Sequence, residues 1–150
     1  MSDSTGVIEA ILVYPTPRCV PVPLAEATAV ANVGLREDRN RPAERQVTLL
    51  SREDWQRATA ALDRELPPET RRANLVVGGI PLAETIDRRL CLGEAVVHVR
   101  GEMKPCARMD EATPGLRACL QPDRRAGVYS VVESGGRIAV GDAVRVLSEE

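Results

Sequence analysis

Aromatic residues are almost missing from this chain of 150 residues, which has no Phe, one Trp and two Tyr. The hydrophobic core must therefore be aliphatic. Proteins that recognise nucleic acids by stacking on the bases need aromatic platforms, and a formal net charge of -2 gives no general attraction to an anionic partner. The composition thus argues against nucleic-acid binding.

Long apolar runs and metal-site spacings are missing as well. No stretch approaches the roughly 18 uninterrupted apolar residues of a membrane-spanning helix, and the polar first residues lack the basic start of a signal peptide. We therefore expect a cytoplasmic protein with reduced thiols and no membrane partner. The four cysteines form no Cys-x-x-Cys pair and have one histidine beside them, which disfavours both disulfides and structural zinc.

The chain fits a single domain, residues 1–150. Apolar runs bounded by Gly or Pro predict short strands at 7–14, 27–30, 46–50, 75–77 and 128–132, and the charged segment 34–42 predicts a loop. Ser51 begins a predicted helix through a Ser-x-x-acid cap, and Trp55 is expected in the core. These patterns predict a mixed α/β, β-rich fold, a barrel with a few peripheral helices.

Two segments of the chain resemble each other. Residues 89–99 and 137–147 share the pattern Arg-(Leu/Ile)-x-(Leu/Val)-Gly-(Glu/Asp)-Ala-Val-x-x-(Val/Leu). Each predicts a strand, a Gly-acid bend and a second strand, as at the corner of a barrel, and we expect the second to close the chain as a hairpin. His98 would then be a strand residue with an ordinary partner rather than a metal ligand.

One cysteine stands out because of its neighbours. Cys106 follows Pro105 at the expected start of a helix and lies between Lys104 and Arg108. Nearby cations and a helix N-terminus favour the thiolate, which is the better nucleophile and metal ligand. The chemistry of this chain is therefore expected at Cys106. The helical region that follows it should be broken at Pro114-Gly115.

The other cysteines carry weaker signals. Cys91 and Cys119 fit the pattern of small buried hydrophobic residues, whereas Cys19 lies in a Pro-rich segment that supports no prediction. A Cys-His hydrolase formed by Cys106 and His98 lacks an orienting third group.

A pair of arginines and an asparagine precede the strand predicted at 75–77. Arginines in such a position ordinarily form a solvated rim, which is the expectation for Arg71 and Arg72. Asn74 lies where the chain turns inward, and a buried asparagine needs hydrogen-bond partners. The combination is a hint of function.

Several short motifs occur in a known order. They are Gly34-Leu35-x-x-Asp38-Arg39, Arg45-Gln46-Val47-Thr48-Leu49-Leu50-Ser51, Arg72-x-Asn74-Leu75-Val76-Val77-x-Gly79-Ile80, Leu92-Gly93-Glu94-Ala95-Val96, Pro105-Cys106-x-x-Met109, Gly127-Val128-Tyr129 and Val140-Gly141-Asp142. Together they resemble the MOSC domain, which occurs at the C-terminus of molybdenum cofactor sulfurases and as small stand-alone proteins. The resemblance covers roughly residues 7–147 and implies a MOSC-type β-barrel.

The resemblance also implies a site. In related reductases the cysteine matching Cys106 coordinates molybdenum held by a pterin cofactor, and the positions of Arg72 and Asn74 help to hold the pterin and its phosphate. Arginine forks suit such an anionic cofactor, and a soft thiolate suits the metal or a transferable sulfur. The predicted cofactor-binding residues are Arg39, Arg45, Arg72, Asn74, Lys104 and Arg108.

Three functions are compatible with these residues. The first is a molybdenum-pterin protein that reduces N-oxygenated small molecules, with Cys106 as metal ligand and electrons from an external donor. The second is a sulfur carrier in which Cys106 holds a persulfide, delivered by a separate cysteine desulfurase that uses pyridoxal phosphate. The third is a non-catalytic binding module that has kept the fold.

One loop departs from the family pattern. The common sequence is Gly-Leu-Glu-Gly-Asp-Arg-His, whereas this chain has Glu37 at the second glycine and Asn40 at the histidine. A side chain obstructs a glycine position that requires positive φ or close approach to a ligand. The substitution therefore predicts a differently shaped pocket and slightly favours the binding module.

Overall fold

The computed structural model describes residues 5–39 and 41–147, so Asn40 of the predicted loop lies outside the described residues. The strands are β1 (Thr5–Val13), β2 (Val22–Leu24), β3 (Glu26–Val30), β4 (Gly34–Leu35), β5 (Val47–Ser51), β6 (Leu75–Gly78), β7 (Arg89–Leu92), β8 (Ala95–Glu102), β9 (Val128–Ser134), β10 (Gly136–Ala139) and β11 (Ala143–Val146). The α-helices are α1 (Arg52–Ala61), α2 (Ala107–Ala112) and α3 (Leu116–Leu120), and short 3₁₀ helices lie at Pro68–Arg71, Leu82–Thr85 and Pro122–Arg124. No helix in the described part of the chain has the length and apolar character needed to cross a bilayer.

Seven of the strands close into a barrel in the order β1-β11-β7-β8-β9-β5-β6, with β6 returning to β1. Closure depends on the length of β1, which pairs with β11 through Thr5–Val7 and with β6 through residues 7–11. The β5–β6 pair is parallel. Outside the barrel, β2 pairs with the end of β1, and β3, β4 and β10 form a small second sheet. The predicted β-rich barrel is confirmed.

The barrel interior is aliphatic, as the composition predicts. Its buried cluster consists of Val, Leu, Ile and Ala side chains and contains none of the described aromatic residues. Strand β9 shows the expected period of two, since Val128, Ser130 and Val132 are buried while Tyr129 and Val131 are partly exposed.

The helices pack outside the barrel around a second cluster. The Ser51 hydroxyl accepts a hydrogen bond from the Asp54 N–H at 3.2 Å, which confirms the predicted cap of α1. Trp55 is 2% exposed and packs with Leu50, and its Nε1 donates to the Leu66 carbonyl. The predicted break separates α2 from α3, where Gly115 has φ 92°.

The two similar segments have different topologies. Strands β7 and β8 form a hairpin as predicted, but β10 pairs with β3 while β11 pairs with β1 and β7. The predicted closing hairpin is therefore wrong, and the Gly141 bend is a corner between two sheets. The physical reason is barrel closure, because β11 fills the gap between β1 and β7. The first bend also contacts the second segment, because Glu94 N donates to the Arg137 carbonyl of β10 at 3.0 Å.

Candidate functional site

Cys106 occupies the N-cap position of α2, with an exposed side chain and an extended backbone (φ -119°, ψ 179°). The predicted helix start is thus present, although α2 is only six residues long. Buried Pro105 and Met109 fix the two sides of the cysteine, and Met103 N donates to Gly127 O at 2.7 Å. The sulfur therefore lies on a surface segment that is anchored before and after it.

Arg71 points inward toward this segment. It ends the Pro68–Arg71 3₁₀ helix, which packs against α2, and it is 8% exposed. Its Nε donates to the Ala126 carbonyl at 2.9 Å, whereas its Nη2 is buried without a hydrogen-bond partner. Burial lowers the pKa of Arg71, the charge of Cys106 opposes that change, and Arg45 adds to it. The expectation of a solvated rim is wrong for Arg71.

Arg72 turns the opposite way because its backbone is left-handed, with φ 65° and ψ 36°. Non-glycine residues rarely adopt this conformation, and here it sends neighbouring guanidinium groups to different sides. The Arg72 Cζ lies 4.4 Å from the centroid of the Tyr14 ring, and Nη1 donates to the Cys19 carbonyl at 2.7 Å. The cation–π contact fixes Arg72 on a rigid aromatic surface.

Asn74 is fully buried and has partners, as predicted. Its Oδ1 accepts from the Thr48 N–H at 3.1 Å, and its Nδ2 donates to the Leu12 carbonyl at 3.1 Å and to Asp38 Oδ2 at 3.2 Å. These bonds tie β1, β5 and the loop after β4 to the start of β6. In this structure the Asn74 amide is therefore engaged by the protein, and its predicted contact with a cofactor stays a prediction.

Asp38 and Arg39 hold the main chain of Tyr14. Asp38 Oδ1 accepts from Tyr14 N at 2.8 Å, and Arg39 Nη1 donates to Tyr14 O at 3.1 Å. Arg41 Nε forms an ion pair with Asp38 Oδ2 at 2.8 Å. Burial, followed by the nearby charge of Arg41, lowers the pKa of Arg39. The loop motif thus collects arginines around one tyrosine.

Tyr14 is the centre of this arrangement. Its hydroxyl donates to the Ala73 carbonyl at 3.0 Å, and burial raises its pKa to about 12 although Arg72 and Arg41 act in the opposite direction. The sequence identified Tyr14 only as the end of an apolar run. No sequence signal reveals its contacts, because they involve residues more than 20 positions away.

The predicted cofactor-binding residues do not share one cleft. Arg72 and Arg108 line one open cleft of about 290 Å³, together with Arg18, Thr70, Met109, Glu111 and Ala112. Arg45 lies elsewhere, with its Cζ 5.2 Å from the Tyr129 ring centroid, and its charge acts on Arg71. Lys104 is exposed and does not line the cleft.

Cys19 is a residue that sequence reasoning did not assign. A backbone hydrogen bond from Thr16 lowers the pKa of the Cys19 thiol, burial opposes this, and Arg72 contributes in the same direction as Thr16. Cys119 packs against the helical cluster as predicted. Cys91 is half-buried, and its Sγ donates to the Gly93 carbonyl at 3.4 Å.

His98 lies on β8, as predicted, with an ordinary partner. Its Nδ1 is 3.6 Å from Glu133 Oε2, and Arg89 Nε pairs with the other oxygen of the same carboxylate at 2.8 Å. These side chains form a surface network between neighbouring strands. Within residues 5–39 and 41–147, no three His, Cys, Asp or Glu side chains form a group able to hold a metal ion.

Glu37 does not obstruct the cleft. Its φ is not positive, it is exposed, and its Oε1 accepts from the Thr28 N–H at 3.1 Å. The side chain thus lies along β3 and is not among the residues that line the cleft containing Arg72. The obstruction expected from the missing glycine is wrong.

A larger cleft, of about 610 Å³, lies at the start of α1. Its lining includes acidic side chains, Glu53 and Asp54, and basic side chains, Arg57 and Arg124. None of the predicted site residues lines it. Burial raises the pKa of Asp54, and its neighbour Arg57 opposes that effect. Cavity size therefore does not identify the thiol site.

The structure defines a small domain built on a closed seven-strand β-barrel, with an exposed cysteine at the start of α2. The family model described as "MOSC domain" matches residues 33–145, and the chain belongs to the MOSC domain family. This family is associated with molybdenum cofactor binding and with sulfur chemistry. No curated protein matches the chain.

Solved structures show the same fold. The YuaD protein from Bacillus subtilis has a TM-score of 0.81 at 19% identity, with 99% of each chain covered. YiiM from Geobacillus stearothermophilus has a TM-score of 0.76 at 16% identity, covering 95% of this chain and 75% of that one. YiiM from Escherichia coli has a TM-score of 0.72 at 15% identity, covering 96% and 71%. At these identities the likeness establishes the fold alone.

Proposed function

We propose that this protein binds a molybdenum-pterin cofactor with Cys106 as the metal ligand and reduces N-oxygenated small molecules with electrons from an external donor. The observation that carries the proposal is the position of Cys106. Its side chain is exposed on an anchored segment and interacts electrostatically with Arg71. Cys106 does not itself line the cleft that contains Arg72, but Arg108, two residues further along the chain, does.

The residues present fit such a cofactor on two grounds. The Arg71 Nη2 is a buried donor without a hydrogen-bond partner, and an anionic group beside it would offset its cost of burial. The cleft places three arginines opposite one Glu111, an excess of positive charge suited to a phosphate. A thiolate is also a suitable ligand for a soft metal.

Different side chains would interact with different parts of the cofactor. Arg72 and Arg108, with Arg18, would hold the phosphate in their cleft, and Arg39 would add positive charge from the Tyr14 side. Asn74 fixes the loop that carries Arg39, through its bond to Asp38. Arg45 and Arg71 would favour negative charge at the sulfur. Lys104 would attract anions to the site from outside the cleft.

A bound molybdenum-pterin group supplies two-electron oxygen-atom transfer chemistry. The protein would contribute one sulfur ligand to the metal, from Cys106. Because Cys106 is exposed, a metal held by its sulfur would be accessible to a small substrate and to a separate electron-donor protein.

The test is the metal and pterin content of protein purified from a host that makes the cofactor. We expect molybdenum and pterin in the wild type and loss of molybdenum in Cys106→Ser. Cys91→Ser is the matched control, since that thiol is half-buried on β7 and should not affect binding. Absence of molybdenum and pterin from folded wild-type protein would overturn the proposal and leave the sulfur carrier and the non-catalytic binding module.

The exposure of Cys106 also supports a second candidate, a sulfur carrier. The outer sulfur of a desulfurase persulfide would transfer to the Cys106 thiolate, forming a new S–S bond and releasing the donor thiolate. The pyridoxal phosphate would belong to that separate desulfurase. Intact mass spectrometry after incubation with a desulfurase and cysteine should show one added sulfur atom, which Cys106→Ser should lack; an unmodified wild-type mass would contradict this function.

A further inference from the structure

Arg71 is a buried cation that neither the family motifs nor the predicted binding set explains. We propose that Arg71 makes the Cys106 site selective for ligands and substrates that carry a negative charge. This proposal rests on the proposed function only in taking Cys106 as the reacting group. It specifies, in addition, the charge of the molecule that approaches the Cys106 sulfur.

The first argument is electrostatic compensation. Arg71 is 8% exposed and therefore 92% buried. None of the ion pairs between described residues includes it. Its one hydrogen bond goes to the neutral Ala126 carbonyl, and Nη2 has no partner. Buried charges are ordinarily paired because removing them from water is expensive, so an anion bound beside this guanidinium would be stabilised.

The second argument is position. The 3₁₀ helix that ends at Arg71 packs against α2, whose N-cap is Cys106. The bond from Nε to Ala126 holds the guanidinium in place, so it cannot extend toward solvent. The neighbouring Arg45 strengthens the positive potential rather than neutralising it.

The third argument is chemical. A guanidinium stays protonated over the whole physiological pH range, so Arg71 provides a permanent positive charge on the inner side of the thiol. Exposed Lys104 and Arg108 add charge on the outer side. The occupant that matches this arrangement is a small anion, such as an oxyanion or a carboxylate, and a cation is disfavoured.

Two alkylating reagents that differ in charge test this selectivity in protein without cofactor. Iodoacetate is anionic and iodoacetamide is neutral, and both attack the same thiolate, so the ratio of their rates at Cys106 cancels the thiolate fraction. Peptide mass spectrometry resolves Cys106 from the other three cysteines. We expect the iodoacetate-to-iodoacetamide ratio to fall roughly three- to tenfold in Arg71→Gln, the effect of one charge at moderate distance in a protein of intermediate dielectric.

Two further variants test whether the change in this ratio arises from the charge of Arg71. Arg71→Lys should keep most of the ratio because it keeps the charge. Arg137→Gln should change the ratio by less than about twofold, because the Arg137 guanidinium is paired with Glu26 on the small second sheet. A wild-type ratio in folded Arg71→Gln would overturn the proposal.

A second measurement covers the case in which Arg71→Gln does not fold. The double variant Lys104→Gln/Arg108→Gln leaves the buried residue intact and removes the exposed charges. If the iodoacetate-to-iodoacetamide ratio at Cys106 stays above that of free cysteine in this double variant, the result supports Arg71. If the ratio falls to that of free cysteine, the selectivity comes from the exposed charges and the proposal is overturned. Because the assay contains no cofactor, a protein that fails to bind molybdenum contradicts the proposed function without altering this result.

Discussion

Asn74 Nδ2 donates to Asp38 Oδ2 across 3.2 Å, joining the start of β6 to the loop that follows β4. The Asp38 side chain is 1% exposed and also accepts from Tyr14 N. Two motifs that are 36 residues apart in sequence therefore meet in one buried network. The arginines around Tyr14 depend on this network for their positions.

Asn74→Ala should be strongly destabilising. It leaves the Thr48 N–H, the Leu12 carbonyl and Asp38 without their amide partner, and we expect the free energy of unfolding to fall by about 2–4 kcal/mol. Urea denaturation followed by circular dichroism measures this. The control is Gln56→Ala on the exposed face of α1, which should change stability by less than about 0.5 kcal/mol. Equal effects in both variants would contradict the role of the network.

Arg72→Gly and Arg72→Ala should separate backbone conformation from side-chain chemistry. Both remove the guanidinium, but only glycine adopts φ 65° without steric cost. We expect the alanine variant to be less stable than the glycine variant by about 1 kcal/mol. Phosphate or cofactor affinity should fall equally in the two, as measured by calorimetry or molybdenum content. Full affinity in the glycine variant would show that Arg72 acts through its backbone alone.

Tyr14 should contribute stability that disappears in alkali. Its folded-state pKa of about 12 lies above the ordinary value of 10.0, so the folded protein prefers the neutral phenol. The stabilisation is complete below pH 10 and is lost as pH rises toward 12, by about 1.4 kcal/mol for each pH unit between the two values. Denaturation of wild type and Tyr14→Phe from pH 8 to pH 11.5 tests this. The wild type alone should lose this contribution, and parallel pH profiles would refute it.

Glu37→Gly restores the residue common in the family. Because the Glu37 carboxylate is exposed and accepts only from the Thr28 N–H, its loss should cost less than about 1 kcal/mol. Glu37 also lies outside the cleft lined by Arg72, so molybdenum content should not rise. A substantial increase in content relative to wild type would mean that Glu37 does restrict the pocket.

Sequence patterns correctly predicted the elements that depend on contacts between residues close together in sequence. The cap of α1 depends on Ser51 and Asp54, three residues apart, and the break before α3 follows from Pro114-Gly115. The β7–β8 hairpin also needs only neighbouring residues. The similar segment 137–147 was predicted to form the same hairpin and does not, because β11 pairs with two strands that are distant in sequence. A pattern of eleven residues contains no information about those partners.

The candidate site divides in the same way. The sequence by itself determined a β-rich aliphatic barrel, the position of Cys106 at a helix start and the family resemblance, since these follow from composition, periodicity and ordered motifs. The tertiary structure decided the orientation of each guanidinium, because burial and distant partners fix it. The left-handed backbone of Arg72 sends Arg71 inward to Ala126 and Arg72 outward to Tyr14. Two adjacent arginines thus have different environments, and only their packing against residues distant in sequence distinguishes them.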